Sequence, residues 1–105
     1  MAAFKKPLYQ REAQNDVDGI VEFIAQDNFA AANRFYTAVE ETAALLVRTP
    51  TMGGKRDFPN RELQNVRFLR VQGFAQYLMF YRETEQTIEV IRIVHGARDL
   101  PVLFQ

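Results

Sequence analysis

The sequence predicts an α+β fold in which an N-terminal helical hairpin packs on an antiparallel sheet of three to four strands. Two observations carry this. Up to Pro50 the apolar residues recur with the period of amphipathic helices, and after it they fall in short β-branched and aromatic runs that alternate as strands do. The length adds a third: 105 residues, 48% of them hydrophobic, make one domain with one modest core, here the whole of 1–105.

"FKKPLYQ" near the start is a candidate extra strand, confined to a sheet edge by Pro7. In "REAQNDVDGIVEFIAQ", Ala13, Val17, Ile20, Val21 and Ile24 form one buried stripe of a helix over 11–26, with Phe23 off the stripe. "LYQRE" offers this helix no clear cap, and Gly19 costs it about 1 kcal/mol relative to alanine, so tertiary packing must hold it. "DN" at 27–28 supplies a cap signal for a second helix over 30–48, with Ala32, Phe35, Tyr36, Val39, Ala43 and Leu46 on its apolar face. Pro50 ends that helix by disfavouring the helical conformation at Thr49.

"TPTMGGKRDFPNRE" reads as a loop. "VRFLRV" (66–71), "QYLMFYRE" (76–83) and "TIEVIRIVH" (87–95) read as an antiparallel meander joined by "QGFA" and "TEQ" turns. Strict alternation in the last strand places Ile88, Val90, Arg92 and Val94 on one face and Glu89, Ile91, Ile93 and His95 on the other. Both faces are then mixed, so something is expected to cover the face turned away from the helices.

Composition narrows the function. With no cysteine and a single histidine, neither a disulfide framework nor an ordinary zinc site is expected, and no metal or cofactor is assigned. No apolar run approaches the roughly 18 to 20 residues that span a bilayer, and the start does not read as a signal peptide, so a soluble cytoplasmic protein is expected. The formal net charge of +0 argues against a general nucleic-acid binder. Residues 51–105 nevertheless carry eight Lys/Arg against six Asp/Glu, nearly all of the cations being arginine, which suits carboxylates at an interface.

Four stretches in order, "DVDGIVEFIAQDNFAAANRF", "TPTMGG", "YLMFYRE" and "IEVIRIVHGARDL", resemble the ParE branch of the RelE/ParE toxin superfamily, the toxic halves of type II toxin–antitoxin (plasmid stabilisation) modules. The resemblance runs from roughly Ala13 to Leu100, and "HGARDL" after an apolar strand is its most specific piece. It implies two helices on an antiparallel sheet, a cognate antitoxin as partner within a toxin–antitoxin hetero-oligomer, and inhibition of DNA gyrase by protein binding. The RelE branch implies the alternative, a ribosome-dependent mRNA interferase.

The candidate residues are weighed between these two. His95 suits acid–base work on a ribose hydroxyl, but a lone histidine before Gly96 also ends a strand and bonds to the adjacent turn, which is the preferred reading. An interferase would draw its catalytic groups from Arg67, Arg70, Arg82 and His95; on the preferred reading none is catalytic. Strand parity puts Arg67 and Arg70 on opposite faces, and RelE-like nucleases rely on a tyrosine or basic group near the C-terminus that "LPVLFQ" lacks. Arg67, Arg70, Arg82, Arg92, His95, Arg98, Leu103 and Phe104 are the candidate partner-binding residues, the arginines serving as an interface for acidic side chains or as solvated positions paired with Glu83, Glu89 and Asp99. The aromatics Phe68, Phe74, Tyr77, Phe80 and Tyr81 read as core rather than as a base-stacking platform. The apolar tail from Leu100 is expected to dock on the body or on a partner.

Overall fold

The computed structural model describes residues 5–99. The chain runs β1 (Lys6–Tyr9), α1 (Arg11–Ala25), α2 (Phe29–Arg48), β2 (Gly54–Lys55), a 3₁₀ turn (Arg61–Leu63), β3 (Arg67–Val71), β4 (Phe74–Glu83), β5 (Thr87–His95) and α3 (Gly96–Asp99). The two long helices lie on one face of a sheet ordered β1-β5-β4-β3-β2.

The helical hairpin and the meander stand where the sequence puts them. The sheet itself is wider, with five strands, and it is mixed. β1 takes the edge beside β5 but runs parallel to it, because a helical hairpin and three strands intervene before the chain returns. β2 is a two-residue strand inside the stretch read as loop, paired antiparallel with β3.

α1 starts without a side-chain cap, whereas Asn28 caps α2 by accepting the Ala31 N–H at 2.9 Å. α2 buries Ala32, Phe35, Ala38, Val39, Thr42, Ala43 and Leu46. Tyr36, expected on that face, is instead 47% exposed. The fully buried Thr42 donates to the Ala38 carbonyl and accepts the Gln72 N–H, so its hydroxyl is not stranded where α2 meets the β3–β4 turn. Gly73 closes that turn with φ of +78°, a conformation that costs glycine no steric penalty.

The last strand departs from strict alternation. The β4–β5 register passes from Phe80↔Arg92 to Tyr81↔Val90, so Ile91 is an extra residue in a bulge. Before and after it the inward set is Ile88, Val90 and Ile93, packed with α1 and α2, while Ile91 and Val94 turn outward.

The outward apolar residues are covered by the chain itself. Val66, Leu78, Phe80, Ile91 and Val94 form a second cluster, capped by Phe58, Leu63 and Phe68, with Phe58 edge-on to Phe80 at 5.7 Å. The segment read as a loop, with Leu63 just beyond it, therefore helps to close the outer face. Among the described residues no helix is long and apolar enough to cross a membrane.

Candidate functional site

Three constructions hold the candidate residues in place. The first latches the glycine loop. Tyr81 faces inward from β4, and a buried tyrosine needs a partner for its hydroxyl. That hydroxyl donates to the Pro50 carbonyl at 2.7 Å and accepts the Gly53 N–H at 2.8 Å. Arg67, opposite Tyr81 in the register, donates to the Gly53 and Thr51 carbonyls at 2.8 and 3.3 Å. A Cβ at Gly53 would lie 2.6 Å from both the Phe68 carbonyl oxygen and the Tyr81 hydroxyl, so only glycine fits.

The second stands at the bulge. β1 ends where the Gln10 N–H reaches the Val90 carbonyl at 2.9 Å, and α1 takes over along the edge of β5. Asp16 of α1 then accepts the Ile93 N–H at 2.9 Å, Arg92 Nε at 2.7 Å and a second Arg92 nitrogen at 3.1 Å. One carboxylate thus pairs a strand-edge amide and grips the guanidinium through two nitrogens.

The third is the strand end itself. His95 Nδ1 accepts the Arg98 backbone N–H at 3.2 Å, capping the short turn α3, and its ring meets Tyr77 edge-on at 5.4 Å. An accepting Nδ1 places the proton of the neutral ring on Nε2, which makes that nitrogen a donor.

These contacts distribute the candidate set. Arg67 serves the glycine loop on the helix-facing side, and Arg70 stands opposite Leu78 on the outer face, so the two are separated by the sheet as parity requires. Arg82 is on the outer face, bonded to Glu89 and to the Gln64 carbonyl, each at 3.1 Å. Arg92 is engaged by Asp16. Arg98 lines a depression of about 250 Å³ against α1, with Gly19, Ile20, the 57% exposed Phe23, and Tyr77. Leu103 and Phe104, and the docking expected of the tail, lie outside the described residues.

Among the described residues of that set, Arg70 and His95 share a concavity. It is a groove of about 510 Å³ on the outer face, floored by Phe68, Ala75 and Leu78, walled by Gly96 and Ala97, and rimmed by Arg56, Arg70, Gln76 and His95. Arg70 is anchored by donating to the Ala75 carbonyl at 3.1 Å. No acidic residue stands among the described lining residues. The arrangement offers an apolar seat with cationic and N–H donors around it.

Sequence reasoning missed Asp16, Tyr81 and Gly53. For Asp16 a signal existed: it sits three residues after Ala13 and four before Ile20, on the flank of the buried stripe. For Tyr81 the signal was its place on the inward face of a strand. Arg56 was in view only as part of "KRDFPNRE", whose Arg/Lys content makes that loop a possible contact with the target; its place in the groove depends on how the loop folds back over β3 and β4.

The family model of the ParE toxin of type II toxin–antitoxin system, parDE, matches residues 8–100. No curated protein matches the chain. Among solved structures, one from the chromosomal ParDE toxin–antitoxin system from P. aeruginosa superposes with a TM-score of 0.69 at 19% identity, covering 88% of this chain and 96% of that one. At this identity the likeness is one of fold.

Proposed function

The chain belongs to the ParE toxin family of type II toxin–antitoxin systems, and from that premise we propose that it inhibits DNA gyrase by binding, without cutting nucleic acid, and is neutralised by a cognate antitoxin. The observation that carries this reading is that the would-be nuclease set splits: Arg70 and His95 share a groove, while Arg67 and Arg82 stand away from it. An RNA-cleaving site needs a base and a transition-state cation around one phosphate. Here Arg67 and Arg82 are bonded elsewhere, on opposite faces, and the His95 Nδ1 lone pair caps α3. What stays together, an apolar floor with cationic rims, is the anatomy of a protein-binding surface. A gyrase target places the protein in the cytoplasm.

The test is a supercoiling assay with purified gyrase, run beside mRNA cleavage on translating ribosomes. Gyrase stalled with its DNA cleaved, and intact mRNA, is the expected result. Ribosome-dependent mRNA cleavage with unimpaired supercoiling would overturn the reading in favour of an interferase.

A further inference from the structure

We propose that the outer-face groove docks an extended acidic segment of a partner protein, an apolar side chain seated on Phe68 and Leu78 and a carboxylate held by Arg70. The proposal rests on the protein-binding reading above and supplies the chemistry of the partner.

Charge complementarity selects the occupant. The other sheet-borne arginines are already matched: Arg82 to Glu89, Arg92 to Asp16, and Arg67 to loop carbonyls. Arg70 is exposed and donates an N–H to the Ala75 carbonyl. That bond fixes the guanidinium at the rim, and a guanidinium has five donors in a rigid fork suited to a carboxylate. Arg56, 5.9 Å from the Phe58 ring centroid, adds positive potential at the same rim. The floor selects further. Phe68 and Leu78 belong to the outer apolar cluster, so this is where the loop stops short of covering that cluster. A nucleic-acid backbone gains little from an apolar floor, and its affinity rises with the number of phosphates neutralised, which a chain of net charge +0 with most of its sheet arginines matched does not supply. An acidic peptide with a leucine- or phenylalanine-sized anchor answers both features.

The experiment measures fluorescence anisotropy of the full chain with short overlapping peptides spanning the antitoxin and both gyrase subunits, and with a single-stranded oligonucleotide. At least one peptide carrying Asp or Glu beside Leu or Phe is expected to bind. Arg70→Glu is expected to weaken it about tenfold or more, Arg70→Gln by less, and Ala75→Trp, which fills the groove, about as much as Arg70→Glu. A peptide with Lys in place of its acidic residue should prefer the Arg70→Glu chain, and Arg34→Glu, an exposed arginine of α2, should leave binding unchanged. Three results overturn the proposal: no peptide binds; bound peptides ignore Arg70→Glu and Ala75→Trp; or the oligonucleotide, and no peptide, binds in an Arg70-dependent way. Supercoiling is read in parallel. Inhibition by the wild-type chain that persists in both groove variants, with no peptide bound through Arg70, defeats the groove and spares the gyrase reading, whereas Arg70-dependent peptide binding without any inhibition does the reverse.

Discussion

The Tyr81 hydroxyl accepts the Gly53 N–H at 2.8 Å, tying the C-terminal part of β4 to the glycine loop twenty-eight positions earlier in the chain. Tyr81→Phe strands that amide and the Pro50 carbonyl, and is expected to cost about 1–3 kcal/mol. Gly53→Ala forces a Cβ against the same hydroxyl and the Phe68 carbonyl, a clash of about 1–3 kcal/mol or more. Urea unfolding of the two variants checks this. Near-native midpoints for both would show that the loop is not latched.

Asp16 and Arg92 give a second pair of unequal halves. Asp16→Ala removes the ion pair and also leaves the Ile93 N–H without its acceptor, so it is expected to destabilise by about 2–3 kcal/mol. Arg92→Ala removes the partly solvent-exposed ion pair but leaves the Asp16 contact to the Ile93 amide, and should cost about 1 kcal/mol or less. A double-mutant cycle separates the two contributions, and equal costs for the single variants would contradict the amide contact.

For His95 the expected role is a cap. His95→Ala should cost about 1 kcal/mol in thermal unfolding, and His95→Asn, which keeps an acceptor at the cap position, should recover most of it. An acid–base catalyst behaves differently: both variants would then lose on the order of 10² to 10⁴ in rate. A loss of toxicity in His95→Asn that outruns its loss of partner affinity would favour the interferase.

Gly19 lies inside α1, and a Cβ built there meets nothing within 4 Å. Gly19→Ala is therefore expected to stabilise the fold by about 0.4–1 kcal/mol, chiefly by narrowing the unfolded ensemble. A lower melting temperature would mean that the depression beside α3 is tighter than this geometry shows.

The Tyr9 hydroxyl is pushed up to about 12, first by burial and then by the nearby Glu40 and Tyr36. Burial also raises Tyr81, against the opposing effects of Gly53 and Arg67. The native state therefore holds these protons more tightly than the unfolded chain, whose tyrosines titrate near about 10. Stability is at its full value below that pH and falls as pH rises from about 10 toward 12. Denaturant midpoints measured across this window should decline for the wild type and decline less steeply for Tyr9→Phe.

Much of the fold was legible because its cues are local. The stripe Ala13, Val17, Ile20 and the Asn28 cap depend on residues within a turn or two of each other, and α1 and α2 end within a residue or two of where the pattern places them. The candidate site was less legible. His95 as a cap was readable from its neighbour Gly96, and the separation of Arg67 from Arg70 from their spacing of three, but which cations meet Arg70 was not, since Arg56 reaches the groove through loop closure.

By itself the sequence determined the helical hairpin, the meander, the turn at Gly73 and the family, all set by periodicity, special backbone positions and contiguous motifs. Tertiary structure alone decided the parallel edge strand β1, the bulge at Ile91 that reverses the parity of β5, the self-covered outer face, and the Asp16–Arg92 and Tyr81–Gly53 pairings. These join residues up to 81 positions apart, as in the Lys6–Thr87 pairing. Such contacts form because buried amides, hydroxyls and charges need partners once the layers close, and that requirement does not exist until the layers have met.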